Sequence, residues 1–163
     1  MDTKTLEALI REELARAGRT PEPTDNVVLS AAKRLSEAVE ARAAEMGVKA
    51  VVAISDRAAR PVLVHVMEDA YIASYDVALQ KAYTVVALKM STADLKPLAQ
   101  PGGSLYGIQF TNQGQIVIFG GGEPLRIGDR VIGGLGVSGG TEEQDTALAA
   151  YGAACFASLA GLT

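Results

Sequence analysis

The sequence predicts a single α/β domain in which a mostly antiparallel, five-stranded sheet is flanked by helices. Three observations support this prediction. Segments with helical apolar spacing alternate with short β-branched runs, the turns between runs are short, and the last run ends in clustered glycines before a helix start. A chain of 163 residues with 48% hydrophobic and 21% charged residues is about one globular domain.

The first predicted element is a short amphipathic helix over residues 2–17, which ends at Gly18. Two prolines and polar neighbours then predict a linker over residues 19–26, so the main domain is expected over residues 27–163. The apolar stripe of the helix consists of Leu6, Leu9, Ile10, Leu14 and Ala17.

The domain is expected to begin with a helix over residues 29–46. Runs at 49–55 and 61–67 predict two strands that are apolar on both faces, which is typical of central strands covered on both sides. Helical spacing then predicts helices over residues 72–90 and 92–99.

The second half of the chain is predicted to complete the sheet. A short apolar run predicts a strand at 116–119. Strands at 124–127 and 130–137 flank a Gly-Asp pair at 128–129, which is a two-residue hairpin signal. A last helix is expected over residues 142–159.

The junction at residues 131–145 is the most informative stretch, because a strand ends in glycines directly before a helix. Thr141 and Gln144 have the spacing of a capping box. The spacing Gly134-x-Gly136-x-x-Gly139 matches a dinucleotide fingerprint, but no second strand with an acidic residue follows. We therefore interpret these glycines as sites of close helix–sheet packing.

Several blocks in a fixed order carry a family resemblance. Residues 99–108 read AQPGGSLYGI, residues 117–125 read VIFGGGEPL, and residues 132–145 read IGGLGVSGGTEEQD. An earlier block agrees and contains Ser74, Asp76, Ala78, Lys81, Ala82, Thr84, Met90 and Thr92. Over residues 27–160 the chain resembles the GlcG/HbpS family of haem-binding and haem-degrading-type proteins, which includes the C-terminal domain of PduO. The resemblance implies a profilin-like or PAS-like, GlcG-type sandwich, a tetrapyrrole ligand and a homo-oligomer.

His65 is the only histidine, and it shares a predicted strand face with Leu63 and Met67. Because imidazole is a common haem ligand, His65 is the candidate axial ligand, and the alternative is a packing histidine. Met67, Met90 and Tyr106 are alternative iron ligands, but the patterns around all three are also typical of core residues.

The remaining candidate cofactor contacts lie on one helix and in two glycine-rich segments. The ammonium of Lys81 could pair with a carboxylate or with a haem propionate. The segments Gly120–Gly122 and Ser138–Gly140 offer backbone N–H groups near a helix start, where acidic residues favour a small neutral or singly charged group. The candidate set is His65, Lys81, Tyr106, Gly121, Ser138, Gly139 and Gly140.

Composition argues against several classes of partner. The formal net charge is −4 and no basic block is present, so nucleic acid is not expected. One histidine and one cysteine make a Cys/His zinc site implausible and fit a reducing, cytoplasmic compartment. Residues 146–163 are uncharged, but they are mostly small, so we expect no membrane span.

The N-terminal segment suggests a location. An amphipathic helix joined by a proline-containing linker to a complete domain resembles the encapsulation peptides of bacterial microcompartment cargo. This resemblance implies that residues 1–18 bind a shell protein inside a microcompartment. The alternative is a helix that docks on its own domain.

Three functions remain open from the sequence. The first is a microcompartment accessory protein that binds haem or, as a second choice, a corrinoid. The second is an enzyme that uses the glycine-rich loops on a small organic acid or an oxidising species. The third is an oligomeric structural cargo protein without a ligand. No catalytic triad can be built around the single histidine, which favours binding over catalysis.

Overall fold

The computed structural model describes residues 26–160. The helix expected over residues 2–17 and nearly all of the expected linker lie outside the described residues. The elements are α1 (Leu29–Glu45), β1 (Val51–Asp56), β2 (Pro61–Val66), α2 (Ile72–Leu88), α3 (Thr92–Leu98), β3 (Gly122–Ile127), β4 (Arg130–Ser138) and α4 (Glu142–Leu159), with 3-10 turns at Ile108–Phe110 and Asn112–Gly114.

The described part of the chain forms one antiparallel sheet of four strands in the order β2-β1-β4-β3. The α/β class and the antiparallel pairing are confirmed, but the expected number of five strands is wrong. Residues 116–119 are not assigned to a strand. Ile116 and Val117 are buried, yet Val117 N donates to Thr84 Oγ1 at 3.0 Å, so a side chain takes the place of a neighbouring strand.

The expectation that β1 and β2 are both central and covered on both sides holds only for β1. β1 pairs with β2 and β4 and is almost entirely buried. Among the described strands β2 pairs only with β1, and its Val66 is 57% exposed. An apolar run does not reveal which strand lies at an edge, because the pairing order depends on the topology of the whole sheet.

One face of the sheet, here called the α1–α4 face, carries most of the large buried side chains. Gly152 lets α4 approach closely, because a Cβ there would lie 2.6 Å from Leu135 Cδ2 and 2.8 Å from Val39 Cγ2. The largest fully buried side chains of this layer are Phe156, Leu35, Ile54, Leu125, Leu135 and Leu148.

The opposite face, here called the α2 face, is built from small residues. A Cβ on Gly136 would overlap the carbonyl oxygen of Ala78, and one on Gly134 would overlap that of Ala82. Helix α2 therefore lies directly against the β4 backbone. This confirms the predicted helix–sheet packing for Gly134 and Gly136, whereas a Cβ on Gly139 would overlap the backbone oxygen of Lys49, which is not in a helix.

Local signals around β4 are also confirmed. The turn at 128–129 joins β3 and β4, and Gly128 has a φ of 56°. Thr141 Oγ1 accepts from Gln144 N at 3.2 Å while Gln144 Oε1 accepts from Thr141 N at 2.9 Å, which completes the capping box. No helix within residues 26–160 is long and apolar enough to cross a membrane.

Candidate functional site

A buried ion pair joins α2 to the start of α4. Lys81 is completely buried, and its Nζ donates to Asp145 Oδ2 at 2.9 Å and to Val137 O at 2.7 Å. The same Nζ lies 5.1 Å from the centre of the Phe119 ring. Burial lowers the pKa of Lys81, and the charge of Asp145 opposes that shift. Of the two partners expected for this ammonium, the structure shows a carboxylate.

The two glycine-rich segments converge on this pair. Asp145 Oδ1 accepts from Gly140 N at 2.9 Å. Gly121 has a φ of +109°, and a Cβ there would lie 2.5 Å from Lys81 Nζ and 2.8 Å from Asp145 Cβ. Glycine is required at 121 because the ion pair occupies the space of a side chain.

In each of the two glycine-rich segments, one backbone N–H already donates a hydrogen bond to a carboxylate of the protein. Glu142 Oε1 accepts from Gly120 N at 2.8 Å, and its Oε2 accepts from Lys96 Nζ at 2.6 Å. The Gly120 hydrogen bond, followed by that of Lys96, lowers the pKa of Glu142. Together with the bond from Gly140 to Asp145, this means that these N–H groups are occupied rather than open to an anion.

A pocket of about 320 Å³ opens beside the ion pair on the α2 face. In its lining Ser138 Oγ donates to Ser74 Oγ at 3.1 Å, and both serines are buried. An adjoining pocket of about 460 Å³ shares Tyr71 and Gly140 with it and includes Gly139. The lining of the first pocket is Tyr71, Ala73, Ser74, Val77, Phe119, Ser138, Gly140, Glu142 and Asp145.

His65 lies on the α1–α4 face, on the other side of the sheet from this pocket. It is paired with Val52 in the ladder, and its side chain is 39% exposed. His65 Nδ1 lies 2.6 Å from Glu40 Oε1, and Ser36 Oγ donates to the same oxygen. The structure gives no partner for His65 Nε2 within residues 26–160.

The HbpS-like family model, described as "Haem degrading protein HbpS-like", matches residues 27–154. The chain belongs to this family. An uncharacterized 15.0 kDa protein from the dhaT-dhaS intergenic region of Citrobacter freundii is 47% identical over 82% of this chain and 94% of that protein. Corrinoid adenosyltransferase PduO of the same organism is 38% identical over 82% of this chain, but the match spans only 40% of PduO.

Solved structures agree with the family assignment. Protein ORFY of Klebsiella pneumoniae has a TM-score of 0.80 and 41% identity, covering 85% of this chain and 96% of that one. The crystal structure of a PduOC:heme complex has a TM-score of 0.75 and 40% identity, covering 78% of this chain and 94% of that one.

In the structure of this HbpS-like protein the predicted site residues do not form a single site. Lys81, Gly121, Ser138 and Gly140 come together on the α2 face, and Gly139 lies in the adjoining pocket. Two predicted residues are not part of this group. His65 is on the opposite face, and Tyr106 is 64% exposed in the loop after α3.

Sequence reasoning missed the role of Asp145, which it counted only among the acidic residues near the helix start. A usable signal was present, because Asp145 begins the buried spacing that continues through Leu148, Ala149 and Gly152. Ser74 likewise precedes Ala78 on the buried stripe of α2. A polar residue on an otherwise apolar stripe predicts a buried polar partner.

Proposed function

We propose that this HbpS-like protein binds haem through His65 on the α1–α4 face of the sheet. The observation that carries the proposal is the 2.6 Å contact between His65 Nδ1 and Glu40 Oε1. Metal-ligating histidines commonly donate one ring N–H to a carboxylate, which fixes the tautomer and orientation of the ring. Here that arrangement leaves Nε2 as the nitrogen available to iron.

The surroundings of His65 fit a tetrapyrrole. The imidazole is partly exposed, and its neighbours on the same strand face are the buried Leu63 and the partly buried Met67, so the ring has an apolar setting that suits a porphyrin. Met67 is a weaker ligand candidate because its Sδ already accepts from Ala50 N at 3.4 Å. Bound haem would supply redox-active iron, while the protein would supply the axial ligand and its orientation. Family membership and the similarity to the PduOC:heme complex support haem as the ligand.

Titration of the full chain with haemin, followed by the Soret band, tests this proposal. His65→Ala should weaken haemin binding at least about tenfold, or 1.4 kcal/mol, and shift the Soret maximum. Glu40→Ala should weaken it about 10–100-fold, because the ring loses the group that orients it. Replacing haemin with a cobalamin tests the corrinoid alternative.

Matched controls separate an axial ligand from a general effect on folding. Met90→Leu and Tyr106→Phe remove two of the three other candidate ligands and should leave affinity and spectrum unchanged. An unchanged spectrum and affinity in His65→Ala would reject His65 as the ligand. Failure of the wild-type chain to bind haemin would favour the structural cargo alternative.

We also propose that residues 1–18 direct the chain into a bacterial microcompartment by binding a shell protein. The support is the apolar stripe of Leu6, Leu9, Ile10 and Leu14 next to a proline-containing linker. Residues 1–18 fused to a fluorescent reporter should enter co-expressed shells, and Leu9→Glu with Ile10→Glu should prevent this. If the same double substitution lowers the melting temperature of the full chain, the segment stabilises its own domain instead.

Self-association is a third part of the proposal. Several large apolar side chains around the start of α2 are exposed, and such clusters commonly mark protein interfaces. They are Val66, Tyr71, Ile72 and Tyr75. Light scattering at micromolar concentration should give the mass of a homo-oligomer, and Ile72→Lys should lower that mass. A monomer mass for the wild-type chain would contradict self-association.

A further inference from the structure

The pocket on the α2 face has the construction of a binding site that is separate from His65. Its volume of about 320 Å³ suits a small molecule. Three of its polar lining residues, Ser74, Ser138 and Asp145, are at most 7% exposed. Phe119 and Val77 add an apolar wall. Buried polar groups beside an apolar wall give a pocket both orientation and contact area for a ligand.

The charges around the pocket favour an uncharged ligand. Among the lining residues that the structure describes, the carboxylates are Asp145 and Glu142, and each is already paired with an ammonium, from Lys81 and Lys96 respectively. The lining residues within the described range 26–160 include no lysine or arginine, so a carboxylate or phosphate ligand would meet no unpaired cation from that part of the chain. A cationic ligand would have to compete with Lys81 for Asp145.

The hydrogen-bonding capacity of the pocket favours a ligand that brings donors. The Ser138–Ser74 hydrogen bond uses one of the two hydroxyl protons and leaves one donor. Acceptors are more numerous, because the carboxylates of Asp145 and Glu142 and the serine oxygens keep unused lone pairs. Neighbouring hydroxyl groups on a short carbon chain would match these acceptors, while the carbons would contact Phe119.

From these three features we propose that the pocket between α2 and the start of α4 binds a small uncharged polyhydroxy compound. Ser74, Ser138 and Asp145 contact its hydroxyl groups. Lys81 is a positioning residue, since its ammonium holds Asp145 in place from behind the pocket. This site is independent of the haem proposal because His65 lies on the other face of the sheet.

Glycerol is the probe that tests the site, with glycerate and glycerol 3-phosphate as charged comparisons. A ligand with so few atoms is expected to bind with a Kd on the order of 1 mM. Addition of glycerol to the ¹⁵N-labelled full chain should shift the amide signals of Ser74, Ser138 and Gly140. The two anions should bind at least tenfold more weakly. Shifts located elsewhere, no shifts at all, or equal binding of glycerate would overturn the proposal.

Two variants probe the contacts in different ways. Ser138→Ala removes a hydroxyl, and Val77→Phe fills space without removing a polar group; each should weaken glycerol binding at least tenfold. Ser36→Ala, a serine on the α1–α4 face, is the matched control and should bind as the wild type does. His65→Ala should also leave glycerol binding unchanged. If both pocket variants keep the wild-type spectrum and bind glycerol normally, the pocket is not the site.

Discussion

The two faces of the sheet are built in opposite ways. The α1–α4 face buries large side chains such as Leu35 and Phe156 in the main hydrophobic cluster. The second cluster, on the α2 face, consists of Val51, Ala53, Ala78 and Ala82. The α2 face also holds the buried Lys81–Asp145 ion pair, whereas the His65–Glu40 pair on the α1–α4 face is partly exposed. Apolar burial therefore stabilises one face, while close backbone contact on the other leaves room for buried polar groups.

The largest expected effect concerns the close contact on the α2 face. Gly136→Val should leave little folded protein, a loss beyond about 5 kcal/mol, because the new side chain would overlap the backbone of α2 at Ala78. Leu135→Ala, one residue away on the α1–α4 face, should cost about 2–5 kcal/mol through a cavity. Urea denaturation measures both changes. If Gly136→Val is tolerated better than Leu135→Ala, this account of the two faces is wrong.

A double-mutant cycle examines the ion pair. Lys81→Met alone should cost about 3–5 kcal/mol, because it leaves the buried carboxylate of Asp145 without its cation. Lys81→Met combined with Asp145→Leu should cost less than the sum of the single changes. Denaturant unfolding of the wild type, the two single variants and the double variant gives the coupling energy. If the losses of stability in the single variants simply add up in the double variant, the two residues are not coupled.

A smaller loss of stability is expected when acid protonates Glu142. The pKa of Glu142 is lowered in the folded state by the Gly120 N–H and by Lys96, so the unfolded state binds more protons as the pH falls. The stabilisation is fully present above the ordinary glutamate pKa and is lost as pH falls through the lower folded pKa. Glu142→Gln should lower the free energy of unfolding by about 1 kcal/mol at neutral pH. It should also make stability fall less steeply as the pH is lowered. The measurement is the change of melting temperature with pH in the acid range. If this pH dependence is the same in the variant as in the wild type, Glu142 does not have the role proposed.

Features set by neighbouring residues were predictable from the sequence. The capping box at Thr141 and the turn at 128–129 depend on residues at most three positions apart. The segment at 116–119 has the composition of a strand, yet its backbone bonds to Thr84, which lies 33 positions before Val117 in the chain. Such long-range choices are not encoded in local spacing.

The candidate site shows the same limit. Family blocks pointed to Lys81 and Ser138, and the structure brings both to one face. The partner of His65 is Glu40, which lies 25 residues away on a different element, so its role emerges only from the fold. The division of the predicted residues between two faces likewise depends on strand register, which assigns His65 and Ser138 to opposite sides.

The most direct test of haem binding on the α1–α4 face is amide hydrogen exchange of the full chain with and without haemin. Haemin held by His65 should slow exchange in residues 36–46 and 61–67, and it should leave residues 71–77 and 138–146 unchanged. Slower exchange confined to residues 71–77 and 138–146 would instead locate haem at the pocket on the α2 face. That result would contradict the role proposed for His65.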